Sequence, residues 1–409
     1  MMKHIFAALF AVTFLAAQSV DVFDRQEVAN ARTLGEYQFP DGIDSTQWGI
    51  STTGTAAVTY TTNLGAVTFT TPATADAVIF QTHKYHKYQA AKAMRVVLSL
   101  SAGIPTANTT KEWGYFDADN GLFFRYDDSG FYFVQRNQGV DTAVELADMN
   151  GDGAKLFKKQ WLARAGVFEI HFQWLGSGIS RGLYVTQTGE RKILHTNHNT
   201  FNLNSGPYMR TGSLPLRYAQ YRGATATTEP QNMVLICSTV IASGGEPETS
   251  TSVSLGHEKT TTAAEELVLL AYQPKEFDAV FRTNRSIILP VGFEVSATAA
   301  PVRVRGYANS TLTGGNWLSV GSTSMTSYST DVEISVKGKQ LFDTILYAAS
   351  GTGPISSART PADNSADVKG LTLQRNAFDD GGNNVVITIQ RTGATDATVF
   401  SAMRWEEIR

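Results

Sequence analysis

The sequence predicts a mainly β protein, in which an antiparallel β-sandwich is followed by a smaller one and preceded by a short helical arm. Three observations carry that expectation. Val, Thr, Tyr and Phe alternate with polar residues in short runs, as in AVTFTT (66–71) and MRVVLSLS (94–101), and a two-residue period puts one side of each run in a core. Reversal signals that read as hairpins or a meander separate the runs at Asn63-Leu64-Gly65, Thr71-Pro72, Asp128-Ser129-Gly130 and Thr188-Gly189-Glu190, where Gly, Asn, Asp and Pro suit the backbone angles of tight turns. Windows of helical periodicity are few, which leaves sheet packed on sheet as the way to bury the apolar faces.

The arm comes first. Met1 to Val20 carries Lys3 and His4, then a largely apolar run from Ile5 to Ala17. That run is shorter than the ~20 residues of a membrane span. Its basic start fits a secretory signal, but Phe14 and Leu15 stand where a small residue would favour cleavage. The expectation is an uncleaved anchor whose Ile5, Phe6, Leu9, Phe10, Val12, Phe14 and Leu15 pack against other subunits, with a retained signal peptide as the alternative. Val28, Ala31 and Leu34 can continue the helix until Gly35 stops it, so the arm is placed at 1–35.

The first sandwich is expected over 36–244. Its strands are written in TAAVTYTTNLGAVTFTTPATADAVIFQT, MRVVLSLS, the hairpin GLFFRYDDSGFYFVQR, VFEIHFQWLG, the hairpin RGLYVTQTGERKILHT and QNMVLICSTVIAS. Gly, Pro and small polar residues then form a linker, 245–252, with nothing to bury. A second β domain, 253–409, follows in ELVLLAY, RSIILPVGFEVSA, PVRVRGYA, DVEISVKG, NVVITIQRT and the closing TVFSAMRWEEIR.

Composition bounds the function. A chain of 409 residues that is 42% apolar and 11% aromatic has enough apolar surface to order itself. Lys+Arg 34 nearly balance Asp+Glu 37, for a net charge of −3, which argues against an electrostatic nucleic-acid binder. The single cysteine, Cys237, excludes an intramolecular disulfide and a zinc site built from several cysteines of one chain. Gly-x-x-x-x-Gly-Lys and Gly-x-Gly-x-x-Gly are both missing from the sequence, so no phosphate loop of those classes is written in it.

Four groups of residues suggest chemistry. Asp148-Met149-Asn150-Gly151-Asp152-Gly153 starts like a calcium loop, but Lys159 stands at the twelfth place, where a bidentate glutamate would close the shell; a turn is expected. His83 and His86, and His195 and His198, are spaced by three. On strands that spacing sends the rings to opposite faces, and no cysteine or carboxylate cluster accompanies them, so they are expected to be structural. Lys84, Tyr85, Lys87 and Tyr88 suggest an edge strand guarded by lysines. Carboxylates gather at Asp117, Asp119, Asp127 and Asp128, enough for a glycosidase pair, although hairpin ends ordinarily carry such residues. No catalytic set, metal or cofactor is assigned, and a protein without enzymatic activity is expected.

Several phrases share one order: QTHKYHKYQAAKAMRVVLS, WGYFDADNGLFFRYDDSGFYFVQR, FEIHFQWLGSGISRGLYV, LPLRYAQ, MVLICSTVIASGGE and the closing MRWEEIR. In that order they resemble a family of bacteriophage virion structural proteins, well over 81–246, loosely in the C-terminal domain and not at all in the N-terminal segment. Ala91 stands where that family usually has glycine, Gln173 where an acidic residue precedes Trp174-Leu175-Gly176, and Ala219 where a glutamate follows Arg217-Tyr218. The resemblance implies a capsid- or tail-attached virion component with no catalytic site, such as a decoration protein, head fibre or adsorption device.

Taken together, these expectations are a concanavalin-like or jelly-roll-like sandwich, attached to the virion by its arm and partnered by other virion proteins. Several arms inserting together hold better than one, so a homo-oligomer, a trimer above all, is expected. Host surface glycan is a further partner, met at Trp113, Tyr115, Asp117, Asp119 and Asn120, where aromatics, carboxylates and an amide fall within eight positions. The opposing expectation turns Trp113 and Tyr115 inward and leaves the acids to a turn. A secreted carbohydrate-binding module is the alternative to the virion role.

Overall fold

A computed structural model describes residues 30–45, 47–200, 206–225, 229–244, 250–262, 264–276, 284–298, 300–346, 357–361, 373–375, 378 and 383–408. The anchor residues Ile5, Phe6, Leu9, Phe10, Val12, Phe14 and Leu15 lie outside the described residues. The first set of strands is β1 (Arg32–Gln38), β2 (Trp48–Thr53), β3 (Ala57–Thr61), β4 (Ala66–Thr71), β5 (Ala77–Thr82), β6 (Met94–Ser101), β7 (Thr109–Phe116), β8 (Gly121–Asp127), β9 (Phe131–Asn137), β10 (Val140–Glu145), β11 (Gly166–Phe172), β12 (Ile179–Val185), β13 (Arg191–His198), β14 (Leu216–Arg222) and β15 (Gln231–Ala242). A short helix, α1 (Asp152–Leu156), lies between β10 and β11.

These strands make two antiparallel sheets. One runs β13-β12-β11-β6-β15-β4-β3 with β1 added on β15, and the other runs β10-β9-β8-β7-β14-β5-β2. Alternate residues of each sheet enter a shared core, where Phe69 meets Phe80 at 5.5 Å, Tyr115 meets Phe172 at 5.4 Å and Trp113 meets Phe168 at 5.5 Å. Such ring pairs contribute beyond the area they bury. Lys111 is also inside, donating to Ala102 O at 2.7 Å and Asn232 O at 2.9 Å, and so tying β7 to the opposite sheet. β15 is a seam, because Gln231–Leu235 pair with β4 and Cys237–Ala242 pair with β1 on one side while β6 runs along the other.

The second set is β16 (Ser250–Thr261), β17 (Leu267–Pro274), β18 (Ile287–Ala297), β19 (Val302–Ala308), β20 (Thr311–Thr313), β21 (Leu318–Ser319), β22 (Thr326–Ser329), β23 (Glu333–Val336), β24 (Lys339–Leu346), β25 (Ser357–Pro361), β26 (Val385–Arg391) and β27 (Ala397–Ile408). The sheet β16-β27-β18-β25 packs on β21-β22-β17-β26-β19-β24, with β20 and β23 paired separately. A second core lies between them, centred on Tyr272 stacked on Trp405 at 5.5 Å and Phe293 on Phe342 at 5.7 Å. The fold is thus mainly β and antiparallel, as the alternation predicts.

Local expectations fail in four places. The helix expected to reach Leu34 is a strand from Arg32, because Leu34 and Tyr37 bury in the first core and β15 supplies a pairing edge, which overrides local propensity. Thr71-Pro72 is not a hairpin: β4 and β5 belong to different sheets, and the chain crosses between them. Lys84 to Tyr88 form no edge strand; Lys84 Nζ donates to Leu34 O at 2.6 Å and Tyr85 is buried. Finally, β16 begins at Ser250, inside the linker expected over 245–252.

Candidate functional site

The hairpin expected to meet glycan turns its rings inward. Trp113 and Tyr115 are both 0% exposed and belong to the core between the sheets, because their alternation on β7 matches the inward side. Asn120 is equally buried, and its Oδ1 accepts Arg210 N at 3.0 Å. Asp117 is buried as well: Oδ1 accepts the backbone N–H of Asp119 at 2.8 Å and of Asn120 at 2.7 Å, and Oδ2 accepts Arg285 Nη2 at 2.9 Å. Asp119 is half-buried, and burial together with the Asp117 charge pushes its carboxyl up. These five residues therefore build a turn and a core rather than a sugar platform.

The other carboxylates are also employed in turns. Asp127 Oδ1 accepts the N–H of Ser129 at 2.9 Å and of Gly130 at 3.0 Å, and Asp128 Oδ2 accepts Asn108 N at 2.8 Å. The register that sets Phe116 against Gly121 sets Thr110 against Asp127, so Asp117 and Asp127 sit at opposite ends of the hairpin. Six strand residues span roughly 20 Å, well beyond the ~5–9.5 Å of a glycosidase pair.

The outward side of the same sheet carries a closed ionic network. Arg125 donates Nε to Glu112 Oε1 at 2.8 Å and Nη2 to Asp141, and Arg136 donates Nε to Asp141 Oδ1 at 2.6 Å. Burial opposes ionisation of Asp141, but hydrogen bonds from Arg136 and Arg125 outweigh it and hold the carboxyl below its usual range. Beneath lie Phe116 and Phe123, stacked at 4.2 Å, with the Arg136 guanidinium 4.8 Å from the Phe123 centroid. Each of these four charges has its partner, so the patch holds together without offering a free acid or base.

The histidines do not converge. His86 is fully buried, its Nε2 2.8 Å from Tyr37 Oη and its Nδ1 3.1 Å from Leu214 O; burial pulls its pKa down to about 3, so the ring is neutral. Nδ1 of His195 accepts Asn150 N at 3.3 Å, and its Nε2 lies 2.9 Å from Asn197 Oδ1. The stretch from Asp148 to Gly153 docks on β13, where Asn150 Nδ2 donates to Thr196 O at 2.9 Å and Thr196 N donates back to Asn150 Oδ1 at 2.8 Å. Among the described residues no three His, Cys, Asp or Glu side chains gather to hold a metal ion.

What the geometry offers instead is a cavity of about 350 Å³ at one end of the first sandwich. It lies between the 3-10 turn 159–163 and the ends of β11 and β12. Leu162 anchors the turn in the core, and its carbonyl accepts Gly103 N at 2.8 Å. Trp161, one residue earlier, is consequently turned outward and is 39% exposed. Its ring stands 5.9 Å from Phe157 and 6.1 Å from Tyr184, which line the cavity with it. Arg164 and the Thr186-Gln187-Thr188 turn complete the rim. By ring content alone Trp161 reads as core or intersubunit bulk; the signal that separates it is its setting in KKQWLARAG, with basic and polar residues on both sides.

No family model matches the chain, and no curated protein matches it. Among solved structures it is similar to the metal-free carbohydrate-recognition domain of Emp46p, at 11% identity over 52% of this chain and 97% of that one, with a TM-score of 0.34. It is also similar to a Bacillus licheniformis β-glucanase, at 12% identity over 51% and 99% with a TM-score of 0.32. A legume lectin-like domain from Entamoeba histolytica matches at 9% identity over 52% and 98%, with a TM-score of 0.32.

Proposed function

We propose that the chain is a non-enzymatic structural component of a bacteriophage virion, held to the particle by its apolar N-terminal segment and presenting its sandwiches outward. The supporting observation is where the family-like phrases fall. WGYFDADNGLFF is the end of β7, its turn and the start of β8; LPLRY leads into β14, which pairs with β7; FQWLGSG leaves β11; and ICSTVIA, the start of ICSTVIASGG, is the far half of β15. Phrases far apart in sequence thus lie together in the middle of one sandwich, which supports reading them as one unit. The employment of the hairpin carboxylates in turns and an ion pair supports the non-enzymatic part.

The test is incorporation. Deleting Met2 to Ala17 is expected to leave the sandwiches folded and to abolish incorporation into particles; normal incorporation overturns the attachment role. Hundreds of copies per particle indicate a lattice decoration and a few indicate a tail or vertex device. Isolated monomers on the particle would overturn the expected homo-oligomer.

The cavity at Trp161 favours a second reading, a secreted carbohydrate-binding module. Such a protein would be recovered from the medium without its first ~20 residues, and not from particles.

A further inference from the structure

We propose that the cavity beside Trp161 binds an acidic saccharide, a sugar ring bearing a carboxylate, with its apolar face on the indole and its charge at Arg164. The proposal names the ligand for outward display or secretion but does not depend on which of them holds. Three features carry it. The hollow, about 350 Å³, falls in the ~300–1,000 Å³ range of small-ligand sites, and its wall is aromatic: Trp161, Phe157 and Tyr184. The C–H faces of a pyranose suit such rings, and an exposed indole is the largest of them.

Charge selects among sugars. Arg164 is the one charged residue lining the cavity, and its side chain is exposed and makes no ion pair among the described residues. In the sequence just before it, Lys155, Lys158 and Lys159 are exposed and likewise make no ion pair among the described residues. Between Asp152 and Glu169 the sequence has four cations and no carboxylate. Glu190, two residues beyond the Thr186-Gln187-Thr188 turn, is engaged by Lys192 at 3.0 Å. In a chain of net charge −3 this is a local positive field focused on an aromatic hollow, and such a field favours an anion over a neutral ring.

The rim supplies the remaining recognition. Thr186 Oγ1 and Thr188 Oγ1 are fixed 2.8 Å apart, and Thr186 Oγ1 also accepts Glu190 N at 3.1 Å, which makes the turn rigid. The exposed amide of Gln187 stands between the two threonines, where it can meet ring hydroxyls. A guanidinium matches a carboxylate through two parallel N–H donors, which a lysine cannot do.

The experiment is calorimetric titration of the full chain with three probes: a galacturonate oligomer, N-acetylneuraminic acid and a neutral galactose oligomer. The wild type is expected to bind one or both acidic probes at least ~10-fold more tightly than the neutral one, and the better of the two distinguishes a polymeric from a terminal acidic sugar. Arg164→Gln should remove that preference with unchanged melting temperature because its side chain is exposed, and Trp161→Ala should abolish binding, with Trp161→Phe, which keeps an apolar ring on Phe157 and Tyr184, retaining part of it. Equal affinity for the neutral oligomer overturns the proposal. So does equal affinity for a single-stranded oligonucleotide that survives Trp161→Ala, because the patch would then be a charge site alone. Failure of both acidic probes to bind also overturns it, without bearing on particle incorporation.

Discussion

Arg285, in the segment that enters β18, donates Nη2 to the Asp117 carboxylate at 2.9 Å, while its guanidinium lies 5.2 Å from the centroid of Tyr85. A residue of the second sandwich is thereby held between two residues of the first. Both charges are largely withdrawn from water, with side-chain exposures of 14% and 5%, so removing one partner leaves the other stranded. A double-mutant cycle of Asp117→Asn and Arg285→Met should give a coupling of about 1–3 kcal/mol in urea unfolding. Additive effects would show that the two sandwiches merely touch at this point.

Trp113→Ala separates the core from the surface. Deleting a fully buried ring should destabilise the first sandwich by about 3–5 kcal/mol, read as a lower unfolding midpoint. Binding to any saccharide should follow the folded fraction alone. Retained stability with lost binding would return Trp113 to the surface role it was first expected to have.

Lys111 should make the first sandwich respond to alkali. An unfolded lysine keeps its proton to about 10.4, whereas burial pulls the Lys111 ammonium down to about 7, against two carbonyls that favour its charged form. Between those values the unfolded chain binds the extra proton, so this contribution raises stability as pH climbs above 7 and is flat below it. Between pH 7 and 9 the wild type should gain up to about 1.4 kcal/mol per unit relative to Lys111→Met. Parallel stability profiles for the two proteins would exclude the effect.

Glu407 should make the second sandwich respond to acid, with the same sign but in a lower pH window. Burial opposes its ionisation, but donors on Ser324 (2.5 Å), Met325 N (3.0 Å), Thr326 (2.8 Å) and Trp405 Nε1 (3.2 Å) outweigh burial and hold its carboxyl below the usual range. A carboxyl depressed in the fold stabilises above its unfolded pKa of ~4.3, and that stability is lost as pH falls through the lower folded value. Glu407→Gln turns an acceptor into a group that is half donor, and should lower stability at pH 7 by about 2–3 kcal/mol. The gap should narrow below pH 4. A constant gap from pH 7 to pH 3 would rule out the charge as its source.

Ala91 sits at φ +64°, in the left-handed region that costs an L-residue about 1–2 kcal/mol. The position is exposed, so its methyl group packs on little. Ala91→Gly should therefore stabilise the chain by about 0.5–1 kcal/mol, the relief of strain exceeding the added freedom of the unfolded backbone. A destabilised variant would mean that the methyl group is packed after all.

Most strands were legible because their pattern is enforced by burial on one side. MRVVLSLS is β6 from Met94 to Ser101, and Asp128-Ser129-Gly130 turns β8 into β9. β16 was not legible. Its twelve residues pair along the whole of β27, yet Val253 and Leu255 alone give it apolar weight, and a strand fed by one neighbour's backbone leaves little trace in side chains. The sheet order was hidden for a related reason: Thr71-Pro72 marks a reversal without saying which sheet the chain enters next. Of the two expectations for Trp113 the inward one holds; the sequence left both open because an aromatic near a polar turn looks alike whether the register points it in or out, and a single step of register decides. Trp161 was overlooked because ring content alone does not distinguish a wall from a core.

The seam at β15 has a consequence for synthesis. Gly35 in the first strand accepts a bond from Thr239, 204 residues later. At ~5–20 residues per second a ribosome needs roughly 10–40 s to cover that distance, and for all of it β1 has no edge to join. The first strand out of the tunnel is thus among the last to settle, and a host that slows translation lengthens the interval in which Leu34 and Tyr37 are open to chaperones or to a neighbouring nascent chain.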